Sequence, residues 1–166
     1  MRVQPVCDAV FDCNIYLQAA ARPNSPARKC LQLAENGVIR LYVSQDILTE
    51  ISEVLRRPKI QNRFPKLTDK SVDLFLENVR GFSYFLKQVP LTFKLLRDVD
   101  DEPYINLAVK AEADYIVSRD NDLLTLMTAH TTEAKEFRQR FRHLRVIGPL
   151  EFLNEVKSLD SGVPNG

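Results

Sequence analysis

Residues 6–14 of the chain read VCDAVFDCN, a short apolar run that stops at Asp12 and Asn14. The run has the length and composition of a buried β-strand, and the stretch Ile15 to Ala21 that follows it is typical of a helix. A strand that leads directly into a helix is the first half of an α/β unit. Residues 6–21 therefore predict that Asp12 lies at the carboxyl end of a first strand.

Short apolar segments alternate with helical patterns along the rest of the chain. Strand-like segments recur at residues 38–43, 115–118 and 144–147, and helical patterns occupy residues 26–37, 44–58, 68–82, 98–112 and 150–156. Ser25, Ser44 and Thr68 stand where helix N-caps are expected. This alternation predicts an α/β fold with a mainly parallel sheet covered by helices on both faces. We expect one domain over residues 1–157 and a flexible tail over residues 158–166.

The composition excludes several classes of protein. Apolar residues make up 45% and charged residues 27% of the chain, which is ordinary for a soluble globular domain. The net charge of +1 does not indicate nucleic acid or membrane, so any electrostatic argument must be local. No apolar run approaches the roughly 20 residues that cross a bilayer. Three cysteines without a C-x-x-C spacing, and no secretory signal, predict a cytoplasmic protein with reduced thiols. The two histidines lack the spacing of a zinc site.

Acidic residues stand where open α/β sheets usually carry their function, outside the carboxyl ends of the strands. Asp12 and Asp120 each follow a strand-like segment, and Asp101 stands at the start of a helical one. Glu50 lies three residues after Ile47, so it shares the apolar face of its helix. Each acid alone has an ordinary explanation as a cap, a turn or a surface charge. Their joint placement predicts a site.

Four carboxylates that converge on one crevice repel one another, which raises their pKa values or requires bound cations. Oxygen ligands of this kind suit Mg²⁺ or Mn²⁺. A metal at such a site can bridge phosphate oxygens, lower the pKa of a bound water and stabilise a leaving oxygen. The residues therefore predict metal-assisted hydrolysis of a phosphodiester. Asn14 is available to orient a ligand or a water molecule.

Four segments of the chain resemble, in order and spacing, the four acidic motifs of PIN domains. They read VFDCN at residues 10–14, SQDILTEI at 44–51, DVDDEPYINLA at 98–108 and ADYIVSRDNDLL at 113–124. Each segment alone is a weak signal, whereas all four in order are specific, and the match extends over roughly residues 6–150. Within that family the chain resembles the toxin components of prokaryotic toxin–antitoxin systems, which are related to the VapC ribonucleases.

The resemblance implies a three-layer α/β/α sandwich with a parallel sheet of four or five strands. It also implies an endoribonuclease that depends on Mg²⁺ or Mn²⁺, cleaves RNA, forms a homodimer and pairs with an antitoxin protein. The residues that carry over as catalytic, metal-binding acids are Asp12, Glu50, Asp101 and Asp120, with Asp122 as a further metal ligand. The auxiliary residues are Asn14, Ser118 and Asp98, the last as second candidate for the third acid. Cys13 stands where the family usually has Thr or Ser, which removes a hydroxyl from the site.

RNA must approach an acidic site, so nearby cations are expected to offset the repulsion of its phosphates. Arg119 directly precedes Asp120, and Arg22 and Lys29 lie close to the first motif, so these three are the predicted substrate-binding residues. The basic residues between positions 56 and 66, Arg63 included, are interpreted as solvated charges. The aromatic residues that could stack on bases are interpreted first as packing residues; they are Tyr16, Phe64 and Tyr104.

Other function classes stay open at this point. A phosphoacceptor protein also has an Asp after its first strand, but a phosphatase of that kind would carry a second Asp where this chain has Asn14. A receiver domain would need an Asp after a middle strand and a Lys after a late one, and neither is present. A non-catalytic PIN-like module that binds another protein, and a nuclease that processes RNA without an antitoxin, are the remaining alternatives.

Overall fold

The computed structural model describes residues 4–95 and 99–162. Its strands are β1 (Asp8–Phe11), β2 (Arg40–Val43), β3 (Tyr84–Phe85), β4 (Tyr115–Val117) and β5 (Arg145–Ile147). Its helices are α1 (Cys13–Ala21), α2 (Pro26–Glu35), α3 (Gln45–Leu55), α4 (Pro58–Arg63), α5 (Asp69–Phe82), α6 (Glu102–Ala111), α7 (Asn121–Leu124), α8 (Thr132–Arg140) and α9 (Pro149–Asp160). Short 3₁₀ turns span Val99–Asp101 and Thr125–Met127.

The five strands form one parallel sheet in the order β3-β2-β1-β4-β5. β1 lies at the centre, where Ala9 is opposite Leu41 of β2 on one side and Tyr115 of β4 on the other. The chain builds the sheet outward from β1 to one edge and then returns to build the other half. In such sheets the crevice forms at the carboxyl ends of the strands where the direction changes. Here that position lies between β1 and β4.

Helices flank the sheet, so the predicted α/β/α sandwich with a parallel sheet is confirmed. The core strand β1 is fully buried from Ala9 to Phe11, as expected for a strand covered on both faces. Phe11 meets Phe152 of α9 edge-to-face, with ring centroids 5.8 Å apart, and also contacts Tyr16 of α1. Among the helices of residues 4–95 and 99–162, none combines the length and hydropathy needed to cross a bilayer.

The predicted helix caps are confirmed by hydrogen bonds. The hydroxyls of Ser25, Ser44 and Thr68 each accept from the backbone N–H three residues later, at the starts of α2, α3 and α5. These side chains satisfy N–H groups that a helix leaves without partners in its first turn. The exact starts of α2, α3 and α5 were therefore readable from single residues.

Two expectations on element boundaries need correction. The helix expected over residues 98–112 begins as the 3₁₀ turn Val99–Asp101 and continues as α6. Its last residue, Glu112, takes a left-handed backbone conformation with φ of 53° and so stands just beyond the helix. The strand β3 was missing from the sequence-based segments, because two residues at a sheet edge are too short to show a periodic pattern.

A buried amide anchors the segment that precedes α6. The side-chain Oδ1 of Asn106 accepts from the backbone N–H groups of Thr92 and Phe93, at 2.9 and 2.8 Å, and its Nδ2 donates to the carbonyl of Phe93 at 3.2 Å. Asn106 is 3% exposed, so these three bonds replace water that cannot reach the groups. They hold the chain in place on its way to Asp101.

We expect Asn106→Ala to lower the free energy of unfolding by about 2–4 kcal/mol, because it leaves the buried N–H of Phe93, its carbonyl and the part-buried N–H of Thr92 without their partner. Urea denaturation measures the change. Asn154→Ala is the matched control, since Asn154 is exposed on α9, and we expect that variant to stay within about 0.5 kcal/mol of the original chain. Equal stabilities of the two variants would contradict the anchoring role.

Candidate active site

Asp12 ends the central strand and begins a helix. Its backbone N–H donates to the carbonyl of Val117 at 3.1 Å, which continues the pairing of β1 with β4. Its side-chain Oδ1 accepts from the backbone N–H of Ile15 at 3.1 Å, so Asp12 is the N-cap of α1. The residue is 4% exposed. A buried carboxylate is thus held at the carboxyl edge of the sheet by two elements at once.

Ser118 joins the ends of β1 and β4. Its hydroxyl donates to Oδ2 of Asp12 and accepts from the backbone N–H of Asp120, the latter at 2.9 Å. Its own backbone N–H donates to the carbonyl of Ile147 at 3.0 Å, so the residue is also fixed to β5. Ser118 is fully buried. The structure thus brings Ser118, an expected auxiliary residue, into contact with the first acid.

Asp120 and Asp122 lie together at the start of α7. Oδ1 of Asp120 accepts from the backbone N–H of Asp122 at 2.8 Å and caps this short helix. Both residues are partly exposed. The ordinary interpretation of this pair as turn residues therefore holds for one oxygen of Asp120. It does not conflict with a second role, because a carboxylate has two oxygens and about four acceptor positions.

Burial raises the pKa of Asp12 to about 6, from an ordinary value of 3.8. The hydrogen bonds from Ser118 and from the backbone of Ile15 act in the opposite direction, and the negative charge of Asp120 adds to the increase. The effect of Asp120 places the two carboxylates in one electrostatic neighbourhood. A cation between them would relieve both the burial and the repulsion.

Glu50 approaches the same neighbourhood from α3. The side chain is half-buried, and burial raises its pKa; the hydroxyl of Tyr104 opposes this and the charge of Asp100 adds to it. Burial raises the pKa of the Cys13 thiol to about 12, and the charges of Glu50 and Asp12 add to the effect. Cys13 therefore lies within reach of both acids and stays a neutral thiol. It occupies space in the site without adding charge.

Two tyrosines that were interpreted as packing residues also face this site. Tyr16 and Tyr104 are buried, and burial raises the pKa of both phenols, with Cys13 and Asp12 adding to the effect. Within the described part of the chain, neither hydroxyl has a protein partner in full hydrogen-bond geometry. Spacing was the signal that could have found them, because Tyr16 lies four residues after Asp12 and Tyr104 three after Asp101, one helical turn in each case.

The acidic cluster before α6 divides into different roles. Oε1 of Glu102 accepts from the backbone N–H of Leu95 at 2.7 Å, which makes Glu102 a structural residue. Asp101 is 8% exposed and stands at the N-cap position of α6, although its carboxylate does not cap the helix. Asp100 is exposed, and its charge reaches Glu50. Asp98, the second candidate for the third acid, lies outside the described residues.

The donor set fits a hard divalent cation that keeps part of its water shell. Among the described residues, no group of three or more His, Cys, Asp or Glu side chains stands close enough to hold a metal ion by itself. Mg²⁺ does not need such a cage, because it usually keeps several waters and binds through one or two carboxylates. Asp12 and Asp120 offer carboxylate oxygens, and the two tyrosine hydroxyls could bond the remaining waters.

Two of the three predicted substrate-binding residues lie together, and the third lies elsewhere. Arg22 and Arg119 line one groove of about 760 Å³, together with Arg63 and Phe64. Lys29 is exposed on α2 and is not among the residues that line it. Asn14, the auxiliary residue, is exposed in the first turn of α1, next to Asp12.

Comparison with known proteins shows the family of this chain. Residues 8–122 match the family model described as "PIN domain". The chain belongs to the PIN domain family. PIN domains are generally nucleases, which supports a hydrolase. The matched range contains all of the candidate acids. The PIN domain is also 30% identical over 160 residues to an uncharacterized protein of Methanocaldococcus jannaschii, an alignment that covers 92% of this chain and 93% of the relative.

The buried charge of Asp12 predicts how the stability of this PIN domain depends on pH. Between about pH 4 and 6 the folded chain holds a proton that the unfolded chain has released, so stability falls as the pH rises through that range. Asp12→Asn keeps an acceptor for the N–H of Ile15 and removes the charge. We expect it to raise the free energy of unfolding at pH 7 by about 1–3 kcal/mol without metal.

Urea denaturation from pH 4 to 8 in the presence of a chelator measures this difference. Glu35→Gln is the control, since Glu35 is exposed at the end of α2, near the amino edge of the sheet. We expect its profile to follow that of the original chain. If the Asp12→Asn profile also ran parallel to it, the buried charge would not be the cause.

Proposed function

We propose that this PIN domain is an endoribonuclease that depends on Mg²⁺ or Mn²⁺ and hydrolyses RNA phosphodiester bonds. The observation that carries the proposal is the buried carboxylate of Asp12, bonded to Ser118 across β1 and β4, with Asp120 beside it. A carboxylate with a pKa of about 6 is destabilised as an anion near neutral pH. Such a group gains more from a bound divalent cation than an exposed acid would.

The acids proposed to hold the metal are Asp12 and Asp120, and the other acids of the four motifs, Glu50, Asp101 and Asp122, are proposed to bind it through its water molecules. A bound divalent ion would supply three effects: a polarised phosphate, a bound water of lowered pKa and a stabilised leaving oxygen. The rest of the chemistry depends on the protein. Ser118 fixes the direction of the Asp12 carboxylate, and α1 and α7 fix the positions of Asp12 and Asp120 through their caps.

Buried side chains close the inner wall of the site. Tyr16 and Tyr104 are buried and exclude bulk water near Asp12, and the half-buried Cys13, a neutral thiol, is under the influence of the charges of both Glu50 and Asp12. A low-dielectric wall strengthens the interaction of the carboxylates with any cation in front of them. The hydroxyl of Tyr16 stands ready to orient a water molecule, because it has no protein partner among the described residues, whereas the hydroxyl of Tyr104 acts on Glu50 and Cys13.

RNA cleavage tests the proposal directly. We expect a labelled single-stranded RNA to be cut in the presence of Mg²⁺ or Mn²⁺ and to stay intact with a chelator. Asp12→Asn and Asp120→Asn should each lower the cleavage rate by at least about 100-fold, since residues behind metal ligands already account for about 10–100-fold. Glu35→Gln, an exposed acid remote from the carboxyl edge of the sheet, should cleave at the original rate.

The same assay distinguishes the alternatives. Cleavage that survives both substitutions would place the chemistry elsewhere or in a contaminant. A chain that is folded and cuts none of several RNAs with either metal would favour the non-catalytic binding module. Calorimetric titration with Mn²⁺ adds a second readout, because loss of Mn²⁺ binding in Asp12→Asn supports the ligand role whether or not the RNA tested is the right substrate.

We further propose that the chain is the toxin component of a toxin–antitoxin pair, with an antitoxin protein as its partner. The support is the resemblance of its four motifs to those of VapC-like toxins. Induced expression in a bacterial host should arrest growth, whereas Asp12→Asn expressed to the same level should not. Unchanged growth with active enzyme in the cell extract would instead favour a nuclease of RNA processing that needs no antitoxin.

A further inference from the structure

A basic groove adjoins the acidic site. It lies between the turn after α1, the end of α4 and the loop after β4, and its volume is about 760 Å³. Arg22, Arg63 and Arg119 line it, and the lining residues that the structure describes include no acid. Arg119 connects the groove to the site, because it stands between Ser118 and Asp120 in the chain. In a protein with a net charge of only +1, three arginines without an acid form a local cationic surface.

These three arginines differ from five others among the described residues, whose guanidinium groups are already engaged by carboxylates or carbonyls. Arg56 and Arg145 form ion pairs with two carboxylates each, Arg40 and Arg140 with one each, and Arg138 donates to the carbonyls of Leu126 and Ala129. Within residues 4–95 and 99–162, by contrast, Arg22, Arg63 and Arg119 have no ion-pair partner. Their charge is not used to hold the fold together. It is available to an anion.

Phe64 holds two of the three in place. The guanidinium carbons of Arg22 and Arg63 lie 5.3 and 5.2 Å from the centroid of its ring. A cation over an aromatic face is attracted and oriented without being neutralised, because the ring has no net charge. The N–H groups of both guanidiniums remain able to donate to phosphate oxygens. Phe64 thus acts as a positioning residue for two anion-binding groups.

We propose that this groove binds the backbone of single-stranded RNA and leads it to the acids, with Arg22, Arg63 and Arg119 contacting successive phosphates. The choice of RNA rests on the proposed ribonuclease function, whereas the anion-binding groove rests on the contacts just described. The groove also adjoins a mainly apolar cavity of about 340 Å³ that shares Arg119 and is bordered by Pro149 and Leu150, with Glu151, the ion-pair partner of Arg145, at its rim. Charged and apolar surfaces side by side suit a polymer of phosphates and bases better than an acidic peptide.

RNA binding can be measured apart from cleavage. The Asp12→Asn chain in a chelator is titrated against a labelled 12-nucleotide single-stranded RNA, with fluorescence anisotropy as the readout and salt varied from 50 to 300 mM. Each phosphate contact on a single strand contributes about 0.7 to the slope of log K against log salt, which amounts to about fivefold in affinity at 0.1 M salt. We therefore expect Arg22→Ala, Arg63→Ala and Arg119→Ala each to weaken binding about fivefold, and the triple variant on the order of 100-fold.

The chain offers a matched control. Arg80 lies over the ring of Phe85, 4.9 Å from its centroid, so it repeats the same contact at the β3 edge of the sheet. The groove that Arg80 lines contains Glu53 and Glu77. Arg80→Ala removes the same charge and the same kind of contact, and we expect it to leave the affinity and the salt slope unchanged. An equal loss with Arg80→Ala would mean that only total charge matters, which would overturn the proposal.

Phe64 needs its own pair of variants. Phe64→Leu keeps an apolar side chain and removes the aromatic face, and we expect it to weaken RNA binding about threefold to tenfold through Arg22 and Arg63. Phe64→Tyr keeps the face and should restore the original affinity. Thermal unfolding of both variants checks the fold. If Phe64→Leu bound RNA as tightly as Phe64→Tyr, the positioning role would be wrong.

The outcomes separate this inference from the proposed function. If the chain binds RNA through the three arginines but never cleaves it, the groove proposal stands and the nuclease proposal is wrong. If the original chain cleaves RNA and the triple variant binds and cleaves it equally well, the groove proposal is wrong and the nuclease proposal stands. Competition by polyglutamate as strong as that by RNA, at equal charge concentration, would assign the groove to an acidic protein segment and overturn the choice of RNA.

Discussion

The hydrogen bond from the Ser118 hydroxyl to Asp12 is the interaction on which the candidate site depends. It closes the gap between the ends of β1 and β4, and the same hydroxyl accepts from Asp120, so three residues share one oxygen atom. Without it, the buried Asp12 carboxylate would keep its bond from the backbone N–H of Ile15 but lose the partner that Ser118 supplies to its other oxygen. Burying a carboxylate costs free energy unless its oxygens accept hydrogen bonds. The part of this cost that the hydrogen bonds do not offset favours binding of a cation.

Charge in this protein is separated over short distances. Acidic residues gather at the carboxyl edge of the sheet, and arginines that pair with no carboxylate of residues 4–95 and 99–162 line the adjoining groove. The net charge of +1 hides both groups. Screening in physiological salt extends over about 8 Å, so two clusters of opposite sign can act on one polyanion without cancelling. The acids can then hold a metal while the arginines hold the phosphates that approach it.

Much of this arrangement was predictable from the sequence, and the exceptions have physical reasons. The strands, the caps at Ser25, Ser44 and Thr68 and the place of Asp12 follow from local patterns, because a strand end and a cap involve neighbours in the chain. β3 was not predicted, because a strand of two residues at the edge of the sheet is too short to show a periodic pattern. The roles of Phe64 and Arg63 also escaped, since only the folded chain brings α4 beside the turn after α1. A local pattern contains no information on such a contact.

The order in which the sheet is built has a consequence for the cell that makes the protein. β1 is translated well before its partner β4 and Ser118, which lie 106 positions further along the chain. Closing so long a loop is the slow step that non-local pairing imposes. A nascent chain shorter than about 120 residues therefore holds Asp12 and Glu50 without the other wall of the site. A site built in this way stays incomplete until the residues from Ser118 to Asp122 have been translated.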